Sequence, residues 1–144
     1  EKNEEYAVLV AALRQVCTDL CRKLAADGEG ATKLLECTVS GADTKEAAKT
    51  CAMAVINSPL VKTAMFGEDA NWGRILCALG YSGADFDVDS VGIILRSVTG
   101  SVTVAQNGRG TPFDEVNKEY EGEEQRERIR IGLKNRNGST RGGR

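Results

Sequence analysis

A chain of 144 residues suits one domain, or one subunit's share of a larger one, and is long enough to bury a core. Its hydrophobic content of 41%, charged content of 28% and net charge of -2 are ordinary for a soluble globular protein and argue for neither nucleic acid nor an anionic membrane as a partner. No apolar run approaches the ~20 residues that span a bilayer, and the absence of histidine removes Ser-His-Asp and Cys-His nucleophile systems from this chain. The opening Glu1-Lys2-Asn3-Glu4-Glu5 is unlike a signal peptide; it reads as the start of a chain already cut, lacking Met inside a charged helix lead-in.

Tyr6, Leu9, Leu13, Val16, Cys17, Leu20 and Leu24 recur at three- and four-residue spacing, which predicts an amphipathic helix over Glu4–Ala26 with Gly28 as its stop. After it, Asp27-Gly28-Glu29-Gly30-Ala31-Thr32-Lys33 sets a lone carboxylate on a backbone softened by glycine. Two readings stay open there: a solvated turn, or a corner that holds the Glu29 charge toward a cavity for a cationic group. Leu35, Cys37 and Val39 then alternate with polar residues as a half-buried strand.

A second helix is expected with Asp43 as N-cap and Glu46 completing a capping box, ended by Asn57-Ser58-Pro59. Residues 60–66 are read as a short strand, and 72–79 as a short helix with Trp72, Ile75, Leu76 and Leu79 on its apolar side. Residues 91–95, nearly all apolar, read as a strand buried on both faces, and 101–106 as the next strand, followed by an Asn107-Gly108 tight turn. Thr111-Pro112 opens a third long helix, and Ile129, Ile131 and Leu133 alternate in an outer strand. The order α-β-α-β-α-β-β-α-β predicts an α/β (α+β) domain, a mixed sheet with helices packed on it. It covers 1–134, and 135–144 is expected to be a disordered basic tail.

Other constellations carry less chemistry. The five cysteines (Cys17, Cys21, Cys37, Cys51, Cys77) lie in apolar patterns and are expected to be small buried hydrophobes of a reducing compartment. Without a CxxC pair or histidine they suggest no zinc site. Asp85, Asp87 and Asp89 alternate as a calcium loop begins, but Ser90 and Arg96 stand where that loop needs glycine and glutamate, so a solvated turn is expected. Residues 57–75 are denser in chemistry: Lys62, Glu68, Asp69, Asn71 and Arg74 surround the single tryptophan, Trp72, with Gly67 and Gly73 permitting close turns. A pocket rim or subunit contact, or a plain helix start with Asp69 or Asn71 as cap and Arg74 in a salt bridge, both fit this block.

Taken together, 27–33 and 57–84 resemble the β-chain signature of the ornithine acetyltransferase (ArgJ) family, with the likeness running from about Tyr6 to Leu133. The resemblance implies a helix–sheet sandwich shared with self-processing aminopeptidases of the DmpA type. It implies a precursor that cuts itself before a threonine, which then carries acetyl from N-acetylornithine to glutamate, with its free α-amino group as base. It also implies an α chain as partner in an α2β2 assembly, no cofactor (acetyl-CoA being a further donor in bifunctional members), and a cytoplasmic location, or the mitochondrial matrix in fungi. By position, Glu29 is the substrate-binding glutamate. Lys33 is a weaker candidate, while Asn71 and Arg74 are expected to support the site or contact the other chain. The nucleophilic threonine is expected upstream of Glu1, and nothing after Gly132 matches the family's Trp-Gly-Cys-Asp ending, so this chain alone is expected to be inactive. The alternatives are a non-catalytic scaffold or ligand-binding remnant of that fold and a self-processing aminopeptidase of the same fold.

Overall fold

The computed structural model describes residues 3–97, 100–112 and 126–133. They divide into two compact units, Glu1–Leu34 and Leu35–Arg144.

The first unit is one long helix and its exit turn. Helix α1 spans Glu4–Ala26, the predicted bounds. Asn3 caps it, its side-chain oxygen accepting the Tyr6 N–H at 3.0 Å, while Glu4 and Glu5 in the first turn and Lys23 in the last complement the helix dipole. Gln15 Nε2 donates to both carboxylate oxygens of Asp19, 3.0 and 3.2 Å away, one helical turn on. The apolar stripe is exposed along its length: Leu9 is 57% accessible and Leu24 77%.

Among the described residues, the second unit is a five-stranded sheet with three helices. The strands are β1 (Leu34–Ser40), β2 (Gly92–Arg96), β3 (Ser101–Gln106), β4 (Arg109–Gly110) and β5 (Arg126–Gly132). Their order is β1-β5-β2-β3-β4. β2 runs antiparallel to both neighbours, with Ile93 opposite Ile131 and Leu95 opposite Ile129. Glu36 of β1 meets Arg128 at 2.9 Å, and further along Leu133 N–H donates to the Ser40 carbonyl at 2.8 Å, so β1 and β5 run parallel and the sheet is mixed.

Three corrections to the sequence reading follow. β5 is not an outer strand: it lies between β1 and β2. β2 is not buried on both faces: Ile93 is fully buried but its neighbour Ile94 is 37% exposed, so the sheet has one covered face, as antiparallel pairs allow. Residues 60–66 form no strand. They belong to helix α3 (Pro59–Phe66), capped by the buried Ser58, whose hydroxyl accepts the Val61 N–H, with Pro59 at the first helical position.

Helix α2 (Lys45–Asn57) ends where predicted but is capped by Thr44, whose hydroxyl accepts the Ala47 N–H at 3.0 Å, rather than by Asp43. Helix α4 (Trp72–Gly80) matches its expected position. Among the described residues the order is therefore α-β-α-α-α-β-β-β-β, with a short 3-10 turn at Val88–Ser90 before β2. Cys51 and Val55 of α2, Val61 of α3, Ile75 and Leu79 of α4, and Ile93, Ile129 and Ile131 of the sheet form one core.

The Asn107-Gly108 turn is present, with φ of 50° and 69°, the two left-handed residues of a type I′ hairpin between β3 and β4. Asp87 accepts the Asp89 N–H at 3.1 Å, which makes the aspartate run a capped turn. The helix expected after Thr111-Pro112 and the tail 135–144 lie outside the described residues. Buried cysteines are the exception: Cys51 is buried and Cys37 half-buried, whereas Cys17, Cys21 and Cys77 are exposed and all five are free. Cys17 and Cys21 ride on the exposed side of α1, and Cys77 points away from the side of α4 that buries Ile75, Ala78 and Leu79.

Candidate functional site

The loop that leaves α1 is a built turn. Asp27 N–H closes the helix on the Lys23 carbonyl at 3.0 Å, and the Gly28 carbonyl then accepts the Ala31 N–H at 2.9 Å, placing Glu29 and Gly30 at the two central corners. Gly30 has φ +71°, the left-handed value that a type II turn demands at its third position and that glycine meets without strain. Glu29 stands at the corner before it, exposed, with no hydrogen bond or ion pair among the described residues. Lys33 is half-buried and leads into β1. A built turn is thus present, with Glu29 exposed upon it. An exposed carboxylate attracts a cation at 4 Å by only about 1 kcal/mol in bulk water, and by several times more once water is excluded.

The second segment, residues 57–84, is held by a different set of contacts. Asn71 caps α4: its side-chain oxygen accepts the Arg74 N–H at 3.1 Å, and its amide donates to Asp69 at 3.0 Å. Arg74 makes the contact that joins the block. Its Nη1 donates to the Leu60 carbonyl at 3.0 Å and to Thr63 Oγ1 at 3.1 Å, tying α4 to the first turns of α3. So Arg74 grips backbone and hydroxyl where a salt bridge was one expectation.

The close turn also departs from expectation. Gly67 has an ordinary φ of -81°, and the left-handed residue is Glu68, at +58°. Glu68 N–H reaches the Met65 carbonyl and Asp69 N–H the Ala64 carbonyl (3.2 and 2.9 Å), a Schellman ending with glutamate where glycine is usual. Trp72 is half-buried with Gly110 laid against its indole: a Cβ on Gly110 would lie 2.7 Å from the ring. The block is therefore a hydrogen-bonded α3–α4 corner in which Asp69, Asn71, Arg74 and Thr63 meet. Thr63 and Ser58 were not singled out by the sequence reading, although the Ser-Pro pair at 58–59 signals a helix start.

Burial pushes the Cys37 thiol up from 9.0 to about 12, with nearby Cys51 adding to the shift. It stays protonated at neutral pH, so iodoacetamide is expected to label Cys17, Cys21 and Cys77 well before Cys37 in the folded chain, a difference that peptide mass mapping reads directly. The folded state holds this proton where the unfolded chain has lost it. Stability is therefore expected to decline as pH rises from about 9 to about 12, and to decline less in Cys37→Ala.

The ArgJ family model matches residues 1–142. The chain belongs to the ArgJ family. Among its ArgJ relatives, the "Arginine biosynthesis bifunctional protein ArgJ" of Caldanaerobacter subterraneus subsp. tengcongensis is 56% identical over 115 residues, covering 80% of this chain and 28% of that protein. The "Glutamate N-acetyltransferase" of Methanocaldococcus jannaschii is 50% identical over 97 residues, covering 67% of this chain and 24% of that protein. The crystal structure of the arginine biosynthesis bifunctional protein argJ from Bacillus halodurans superposes with a TM-score of 0.77 at 34% identity, over 93% of this chain and 62% of that one. The fold is thus the ArgJ-type helix–sheet arrangement, and the chain spans less than a third of the curated relatives' length.

Proposed function

We propose that this chain is part of a glutamate N-acetyltransferase that moves acetyl from N-acetylornithine to glutamate, in arginine biosynthesis. In this reading a threonine outside the chain attacks the acetyl carbonyl and ornithine leaves with its amine; the amino group of glutamate then attacks the acetyl-threonine ester, taking the acetyl and releasing the threonine hydroxyl. Glu29 pairs with an ammonium of the ornithine substrate. The cavity is completed by an α chain cut from the same precursor, in an α2β2 assembly located in the cytoplasm (the mitochondrial matrix in fungi). No cofactor is needed, with acetyl-CoA as a second donor in bifunctional members.

The observation that carries the reading is the family match along the chain together with the Gly28-Glu29-Gly30 turn, which presents an unengaged carboxylate between α1 and β1. The exposure of Glu29 favours a second reading, a non-catalytic scaffold or ligand-binding remnant of the same fold. One experiment separates them. A chimera in which this chain replaces the matching 115 residues of the Caldanaerobacter protein is assayed for transfer of labelled acetyl from N-acetylornithine to glutamate. Transfer, with one acetyl group gained on the threonine chain by intact mass, is expected; an assembled chimera without either sinks the enzyme reading.

A further inference from the structure

We propose that Arg96, Arg128 and Arg130, set side by side on the sheet face away from the helices, bind a phosphoryl group. The site goes beyond the acetyl-transfer reading and does not depend on it. In the β2–β5 pairing Arg96 stands directly opposite Arg128, and Ile94 directly opposite Arg130. The alternate pairs, Leu95 with Ile129 and Ile93 with Ile131, belong to the core face, where Ile93, Ile129 and Ile131 are buried. The three arginines therefore share the other face. Strand register within 35–144 fixes that arrangement, independently of residues 1–34.

Like charges directly opposite each other across a ladder are destabilising. Facing residues have Cβ atoms about 5 Å apart, and Arg130 lies two residues, or about 7 Å, along β5 from Arg128. The counter-charge that reaches the group is Glu36, whose Oε2 accepts from Arg128 Nε at 2.9 Å. Arg96 and Arg130 have no hydrogen bond or ion pair among the described residues. Three guanidinium groups and one carboxylate leave two positive charges without a partner. A phosphomonoester carries about -1.5 to -2 at pH 7 and so matches them. It also has three terminal oxygens, one for each planar guanidinium fork, whereas a carboxylate has two and is satisfied by a single arginine. Thr103, opposite Ile94 in the β2–β3 pairing, adds a hydroxyl to the same face, and Ile94 an apolar contact for whatever body carries the phosphate.

Calorimetric titration of the 144-residue chain with potassium phosphate, against potassium chloride at matched ionic strength, tests the site. Adenosine monophosphate and adenosine are the further probes. Phosphate and the monophosphate are expected to bind and to raise the melting temperature with concentration, and adenosine to do neither. Tighter binding of the monophosphate supports an ester as the occupant; binding of phosphate alone supports the free ion. Arg96→Gln and Arg130→Gln are each expected to weaken binding at least tenfold. Without phosphate, Arg96→Gln should melt above the parent, because the like-charge contact with Arg128 is gone; an arginine with a merely structural role would give the reverse. Should a glutamine variant fail to fold, Arg96→Lys replaces it, keeping the charge and losing the fork, with weaker binding again expected. Lys49→Gln, on α2 across the sheet, should bind as the parent does. Equal stabilisation by chloride and by phosphate would mean screening alone and overturns the inference. Binding that survives in folded Arg96→Gln and Arg130→Gln overturns it too, as does adenosine binding as tightly as its monophosphate.

Discussion

In the chimera, Glu29→Gln is expected to lower kcat/KM for N-acetylornithine by roughly two to three orders of magnitude, the scale on which losing one partner of a desolvated charge pair is measured. The substitution keeps the size and shape of the side chain and removes only its charge. The Gly28–Ala31 turn is closed by backbone groups and by the left-handed Gly30, neither of which involves the Glu29 side chain. Thermal stability should therefore stay within about 0.5 kcal/mol of the parent, as for other exposed substitutions. A pair that forms in the bound substrate and persists through acetyl transfer acts as uniform binding, so the loss should fall mainly on KM. Parent-like kinetics would remove Glu29 from the pocket.

The largest stability effect is expected at Gly41, just after β1. It has φ +81°, and a Cβ built there would lie 1.9 Å from the Leu133 carbonyl oxygen, inside any tolerable contact. The contact is backbone against backbone, so no side chain can swing away. Leu133 is itself fixed by its N–H bond to the Ser40 carbonyl at 2.8 Å. Gly41→Ala must push the residue after β1 away from Leu133, which follows β5. A left-handed alanine costs ~1–2 kcal/mol, and overpacking ~1–3 kcal/mol more. The expected loss of about 2–5 kcal/mol would lower the melting temperature of a chain this size by roughly 5–20 °C. A melt within a degree or two of the parent by circular dichroism would contradict the β1–β5 arrangement.

Much of the architecture is legible where local signals act alone. The period of α1, the alternation of β1, and the Asn107-Gly108 hairpin are properties of a few neighbouring residues, and the structure keeps them. The misread elements are those decided elsewhere. Residues 60–66 are a short apolar run whose period does not separate strand from helix; the cap at Ser58 decides it. Arg126–Gly132 reads as an outer strand because Arg128 and Arg130 alternate with Ile129 and Ile131, yet charges on one face are equally suited to an inner strand whose second face is open to water. Glu68 shows a further limit: glycine at 67 suggests the left-handed residue, but the hydrogen bonds of the Schellman ending select position 68. The Glu29 turn was legible because its backbone demand is local, whereas whatever surrounds the carboxylate is supplied by residues far from it in any chain.

Because β5 inserts between β1 and β2, the strand that joins the two halves of the sheet is synthesised after both of them. Until β5 has left the ribosome, the inner edges of β1 and β2 have no mate, and the Glu36–Arg128 contact must close a loop of more than ninety residues. Nascent chains of this protein should therefore dwell with two open strand edges, the form most prone to mispairing and most dependent on chaperone shelter during translation.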